Sequence, residues 1–145
     1  MALIEIETYD QMLKLLQEYR NNYNEYMMLS LNALPKSPTI DGIPSQNATP
    51  KDEQLNKMIM RVDELNLRMS VIEEAVEVLK EVSQDYYRVI FYHYISIEHQ
   101  MSLNRISSEL FGFDDYINFW RGKWHKNALN ALYEIIQHRR DCNRL

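Results

Sequence analysis

The fold is decided by residues 55–79, which read LNKMIMRVDELNLRMSVIEEAVEVL. Apolar side chains recur there with the alternating three- and four-residue spacing of a coiled-coil seam. The a positions hold Leu55, Val62, Met69 and Val76, and the d positions hold Met58, Leu65, Ile72 and Leu79. The pattern predicts one long helix that buries this seam, either against another helix of the same chain in an antiparallel hairpin or against a second subunit.

A second helical stripe precedes this seam. It consists of Tyr9, Met12, Leu16, Tyr19, Tyr23 and Tyr26, which are three or four residues apart. Thr8, with Gln11 three residues later, has the pattern of a capping box at the start of a helix. The four tyrosines indicate either an amphipathic face whose hydroxyls reach its edge or a partly exposed docking surface. We predict a dimer or partner surface made of Tyr19, Tyr23, Tyr26, Leu55, Val62 and Met69.

The two stripes are separated by a proline-rich segment. All four prolines of the chain lie between residues 35 and 50, so this segment cannot be one continuous helix. Its length favours either a flexible connector or a defined docking loop. The chain therefore divides into an N-terminal helix (1–34), a connector (35–51), a heptad helix (52–83) and a C-terminal unit (84–145).

The C-terminal unit is predicted to contain three helices. Residues 86–95 would tolerate a strand by composition, but we predict a helix because the chain offers no second strand to pair with it. A short helix over 103–110 turns its Leu103, Ile106 and Leu110 inward, and a turn follows at Gly112. The last helix starts near Asp114, and its predicted buried stripe is Ile117, Trp120, Trp124, Ala128, Ala131 and Ile135. The predicted fold class is all-α: a long helical hairpin or coiled coil followed by a three-helix helix-turn-helix unit.

Composition argues against several classes of protein. The 145 residues include only 3 scattered glycines, which cannot form a phosphate-binding or dinucleotide-binding loop. Cys142 is the single cysteine, so neither an internal disulfide nor a cysteine metal clip can form. The 4 histidines lack the spacing of a zinc protease site. We therefore expect no enzyme activity, no cofactor and no metal.

Localisation signals are equally sparse. Residues 1–7, MALIEIE, lack the basic region of a secretory signal. No apolar run approaches the roughly 20 residues that cross a bilayer. Cysteine usage also suits a reducing compartment. The expectation is a cytoplasmic protein with no membrane partner.

Charge is unevenly distributed along the chain. The formal net charge is −5, but residues 116–145 hold six Lys and Arg side chains against two carboxylates. A helix-turn-helix would present the last helix to the major groove. We predict phosphate contacts from Arg121, Lys123 and Lys126, base contacts from Asn118 and Arg121, and further DNA contacts from Arg105 and Asn127. Asp114 and Asp115 would repel phosphate there unless they cap the helix or accept hydrogen bonds from cytosine.

Two stretches of the chain resemble the ArpU/RinA-like group of phage late-gene transcriptional regulators. Residues 37–44, SPTIDGIP, are similar to the Ser-Pro-x-x-Asp-Gly-Met-Pro segment of that family. Residues 85–132 follow the order of its C-terminal part, which is similar to sigma-factor region four, and KWHKNAL at 123–129 resembles its basic run into an Ala-Leu pair. The resemblance implies a late-gene activator in a bacterial host cell that binds double-stranded DNA upstream of phage late genes. RNA polymerase or a repressor protein is a further predicted partner.

Two alternatives stay open at this point. The net charge, the Asp114–Asp115 pair and the tyrosine-rich first helix suit a helical adapter that binds a repressor or RNA polymerase without touching DNA. A small terminase-like subunit, also built from helix-turn-helix and coiled-coil parts, is the other alternative.

Overall fold

The computed structural model of the protein describes residues 6–33 and 48–143. Its elements are α1 (Tyr9–Ala33), α2 (Ala48–Val82), α3 (Gln84–Ile90) continuing as a π-helical turn (Phe91–Ile95), α4 (Leu103–Arg105) continuing as a second π-helical turn (Ile106–Leu110), α5 (Tyr116–Arg121) and α6 (Trp124–Asn143). These two ranges contain helices and no strand, which confirms the predicted all-α class. None of the helices in them is long and apolar enough to cross a membrane.

The first two helices form an antiparallel hairpin. Arg61 on α2 places Nε 2.8 Å from Oε1 of Glu25 on α1. Further along, the Tyr19 hydroxyl donates a 2.7 Å hydrogen bond to Oε1 of Glu73. Rising residue numbers on α1 therefore meet falling numbers on α2. Of the two ways to bury the heptad seam, the described structure has the one within a single chain.

The starts of the two long helices differ in how well the sequence predicts them. The capping box at α1 is confirmed: the amide of Gln11 donates to Oγ1 of Thr8 at 3.2 Å, and the amide of Thr8 donates to Oε1 of Gln11 at 3.1 Å. Helix α2, by contrast, begins at Ala48, inside the predicted connector. Pro50 falls in its first turn, where a proline breaks no intrahelical hydrogen bond. The rest of the predicted connector, and with it the 37–44 motif, lies outside the described residues.

The heptad seam is buried along only part of its length. The d residues Leu65, Ile72 and Leu79 are fully buried, whereas Leu55, the first a residue, is 45% exposed. Tyr19 and Met69 both belong to the core of the hairpin itself. This corrects the expectation that these two form a partner surface, because α1 and α2 already cover them.

The C-terminal unit packs against the base of the hairpin. The guanidinium of Arg20 on α1 donates to the backbone oxygens of Ser96, at 2.9 Å, and Tyr92, at 3.0 Å. On the other side, the amide of Gln137 on α6 donates to the oxygen of Ile6 at 2.9 Å. The helix predicted over 86–95 is confirmed, in the form of α3 and its π-helical turn. These contacts join the hairpin and the C-terminal unit around one core.

The predicted last helix is interrupted, and its predicted stripe is wrong at the start. Helix α5 ends at Arg121, and α6 begins at Trp124 after a left-handed residue, Lys123. Phe119 is the buried residue of α5, packing its ring 5.5 Å from that of Phe111. Ile117 and Trp120, which were expected inside, are 51% and 69% exposed. The break changes the register, so the two helices do not share one buried face.

Candidate nucleic-acid interface

Three cationic side chains lie close together in the chain at the junction of α5 and α6. Arg121, Lys123 and Lys126 are all exposed. Within the described residues, none of them has a carboxylate oxygen inside 4.0 Å. Five other arginines of the described ranges pair with acids, as Arg61 does with Glu25 and Arg139 does with Glu74, whereas two do not, and neither do the other lysines whose side chains the structure describes. The junction therefore presents positive charge that the described fold does not neutralise.

Lys123 has an unusual backbone conformation. Its φ is 55°, in the left-handed region, which costs a residue with a Cβ about 1 to 2 kcal/mol. Its carbonyl accepts the amide of Asn127 at 2.7 Å, so the residue stands at the start of α6. The helix dipole disfavours cations at that end. Neither the local backbone nor the dipole explains a lysine at this position.

One of the two carboxylates before α5 has a capping role. Oδ1 of Asp115 accepts the amide of Ile117 at 3.0 Å, which satisfies one of the free donors of the helix start. Capping was one of the two roles left open for these carboxylates. Asp114 next to it is exposed.

A cavity of about 270 Å³ lies between α5 and α6. We refer to it as the α5–α6 cavity; its lining is Tyr116, Phe119, Trp120, Lys123, Trp124, His125 and Lys126. Trp124 is held by ring contacts at 5.0 Å with Phe111 and 5.8 Å with Tyr86. Its indole also lies over Gly122, where a Cβ would come within 3.0 Å of Cδ1 and Nε1. Gly122 thus allows the indole to sit close to the backbone at the junction.

His125 contributes a polar but uncharged group to this cavity. Its Nε2 is 2.7 Å from the Tyr94 hydroxyl, and the His93 ring lies 5.5 Å away. Burial, together with the charge of His93, lowers the pKa of His125 to about 4. Burial also raises the pKa of Tyr94 to about 12. Near pH 7 the charge of the cavity therefore comes from the two lysines rather than from His125.

The structure brings together only some of the predicted DNA-binding residues. Lys123 and Lys126 line one cavity, and Asn118 and Arg121 are exposed on the adjoining α5. Asn127 is half-buried on α6. Arg105 lies on α4 and forms an ion pair with Glu109 at 3.2 Å, so a carboxylate of the same chain neutralises its charge.

Three residues of the cavity were missed by sequence reasoning. Trp120 and Trp124 were both assigned to a buried stripe, and His125 was given no role. Gly122, set between the two tryptophans, was the available signal, because a glycine inside a helical pattern lowers the expectation that the helix continues.

A second feature lies at the far end of the hairpin. Six large apolar side chains beyond the Arg61–Glu25 pair are exposed, and we call them the distal surface: Met27, Met28, Leu31, Leu55, Ile59 and Met60. Of the residues predicted for a partner surface, Leu55 belongs to this set, and Tyr23, Tyr26 and Val62 are partly buried. A groove of about 580 Å³ also runs along α1 and α2, with Leu15, Leu67 and Met60 among its apolar walls.

Comparisons with known proteins find no match to this chain among family models, curated proteins or solved structures. Within the described ranges, no group of three or more His, Cys, Asp and Glu side chains is placed to hold a metal ion.

Proposed function

We propose that this protein is a sequence-specific DNA-binding transcriptional regulator of phage or prophage origin, which activates late genes. The observation that carries DNA binding is the group of exposed cations, Arg121, Lys123 and Lys126, without ion-pair partners in the described structure. The assignment to phage late genes rests on the resemblance of residues 37–44 and 85–132 to the ArpU/RinA-like family.

In this proposal α4, the turn at Gly112 and α5 act as the helix-turn-helix. Helix α5 spans six residues, which is a length of about 9 Å, so it can reach only a few base pairs. Asn118 reads a base edge, and the three cations contact phosphates on either side. Arg105 joins them when phosphate displaces Glu109, its present partner at 3.2 Å.

Binding to duplex DNA from upstream of phage packaging and lysis genes tests the proposal. We expect the affinity of the wild-type protein to fall as salt rises, because each neutralised phosphate releases condensed counterions. Lys126→Ala and Lys123→Gly should each weaken binding and lower the slope of log affinity against log salt by about 1. Glycine is the sharper choice at position 123, because it accepts the φ of 55° without strain.

Lys57→Ala serves as the matched control, since Lys57 is an exposed helical lysine on α2, away from the junction. It should leave both the affinity and the slope at wild-type values. Absent binding, or binding that does not respond to salt, would overturn the proposal. An equal loss in Lys57→Ala and Lys126→Ala would show nonspecific attraction instead of a site.

The distal surface favours a second candidate function, that of a helical adapter for a repressor or RNA polymerase. Met60 is 71% exposed and borders the groove between α1 and α2, and apolar grooves of this kind accept amphipathic helices. The two candidates respond to different changes. Met60→Glu should disrupt adapter binding and spare binding to DNA that carries a single half-site, whereas Lys126→Ala should do the reverse.

A further inference from the structure

The α5–α6 cavity is lined by aromatic side chains and by two cations. Tyr116, Phe119, Trp120 and Trp124 supply the aromatic part of its lining, and Lys123 and Lys126 supply the charge. Its volume of about 270 Å³ is slightly below the roughly 300 to 1,000 Å³ of pockets that hold drug-sized ligands. The size suits one flat ring system with its substituents.

The exposure of Trp120 is the feature of this cavity that packing within the fold does not explain. It is 69% exposed, and among the ring pairs of the described residues it stacks on none, unlike Trp124. Burying an indole is among the largest apolar contributions a side chain makes. At this position most of the indole instead faces solvent at the edge of a cavity, beside two lysines.

The aromatic lining of the cavity suits the face of an unstacked nucleobase better than the edge of a base pair. In a duplex the faces of the bases are covered by their neighbours, and only their edges are open in the grooves. Aromatic side chains recognise bases through their faces, which are free only when the base is unstacked. The uncharged His125 adds a polar group without adding charge, and the two lysines of the lining supply positive charge that would attract the phosphates flanking a base.

We propose that the α5–α6 cavity binds one unstacked base of single-stranded or locally opened DNA, with Trp120 stacking on its face and Lys123 and Lys126 contacting the adjacent phosphates. This inference rests on the proposed DNA-binding function. It goes beyond that function because it assigns the junction a preference for an unpaired base.

The test compares two single-stranded oligonucleotides of equal length and phosphate number, one of deoxythymidines and one with abasic sites at every central position. We expect the full-length wild-type protein to bind the base-containing strand about tenfold or more tightly than the abasic strand, since stacking one base on an aromatic side chain is worth roughly a five- to hundredfold change in affinity. Indole fluorescence should be quenched by the first strand and not by the second.

Three variants test stacking while leaving the charge of the cavity unchanged. Trp120→Ala should remove the preference for the base-containing strand, and Trp120→Phe should restore part of it. Ile117→Ala is the matched control, because Ile117 is an exposed apolar residue on the same helix, 51% accessible, but does not line the cavity. That variant should keep the full preference.

Equal affinity of the wild-type protein for both strands would overturn the inference, and so would an equal loss of preference in Ile117→Ala and Trp120→Ala. Duplex binding measured in parallel keeps the two proposals distinguishable. Salt-dependent duplex binding without any preference for bases over abasic sites refutes the base site alone. No binding to duplex or to either strand refutes both. A Trp120→Ala variant with wild-type preference for bases would refute the stacking role of Trp120.

Discussion

At the residue scale, the protein combines several hydrogen-bonded polar side chains at its core with cations that have no ion-pair partner at the α5–α6 junction. The Tyr19 hydroxyl reaches Glu73, Arg20 reaches two backbone oxygens, and the His125 ring reaches the Tyr94 hydroxyl. Such bonds contribute about 1 kcal/mol each and cost more when one partner is left alone. Arg121 and Lys123, in contrast, have no ion-pair partner in the described ranges.

His125 makes stability depend on pH in a definite direction. The pKa of His125 is lowered to about 4 in the folded protein, against roughly 6.5 in an unfolded chain. Between these values the unfolded chain binds more protons, so the free energy of unfolding falls as pH drops from 6.5 towards 4. We expect a loss of about 1 to 2 kcal/mol between pH 7 and pH 5, allowing for partial solvent screening.

Urea denaturation at both pH values checks this expectation. His125→Gln should show a weaker pH dependence than the wild-type protein over the same interval. His99→Gln should keep the wild-type dependence, because His99 is exposed. An unchanged pH dependence in His125→Gln would show that another group controls stability in this window.

At the element scale, α2 is a heptad helix whose seam is covered along only part of its length. From Leu65 to Leu79 the d residues are fully buried, and Ile72 and Leu79 belong to the core shared with α1 and the C-terminal unit. Before Leu65, α2 exposes Leu55, Ile59 and Met60. The same heptad pattern therefore stabilises the base of the hairpin strongly and its far end weakly.

Two leucine substitutions measure this difference. Leu65→Ala removes a side chain with no exposed area and should reduce the free energy of unfolding by about 2 to 5 kcal/mol. Leu55→Ala, at a site 45% exposed, should cost less than about 1 kcal/mol. Chemical denaturation of both variants, at a protein concentration low enough to keep the chain monomeric, provides the measurement. Similar losses at the two sites would mean that the far end of the hairpin is covered in solution.

At the scale of the whole molecule, two surfaces stand apart from the shared core. One is the cationic and aromatic junction of α5 and α6, and the other is the distal surface of the hairpin. Large exposed apolar patches on a protein are typical of interfaces with other proteins. A regulator with DNA contacts at one surface and self-association at the other would bind paired half-sites.

We expect the distal surface to bring two copies of the chain together. The mass of the wild-type protein in solution should rise with concentration towards that of a dimer, whereas Met60→Glu should stay monomeric, because burying an unpaired charge in an apolar contact is costly. Asn66→Glu, an equal charge change at an exposed polar site of α2 outside the distal surface, is the control and should still dimerise. A monomeric wild-type protein at high concentration would rule out self-association through this surface.

Much of the fold was predictable because the buried face of a helix appears in the sequence as apolar residues three and four positions apart. The heptad seam, the tyrosine stripe, the Thr8–Gln11 capping box and the helix over residues 86–95 all depend on neighbours a few residues apart. The same reasoning located Lys123 and Lys126 as candidate cations. It assigned Trp120 to the core because it assumed that the last helix was unbroken.

Local sequence patterns were enough to predict the helical class, the two long amphipathic helices and the positive balance of the C-terminal residues. Three features emerged only from the folded chain: much of the heptad seam packs within one chain, the last helix breaks at Gly122 and Lys123, and Phe119 is buried while Trp120 is exposed. The physical reason is that α5 is short and that its buried face depends on the side chains that pack against it. A helix of six residues is too short for its apolar spacing to define one face, so the buried face of α5 was selected by Phe111 and Phe113, whose rings lie 5.5 and 6.2 Å from that of Phe119.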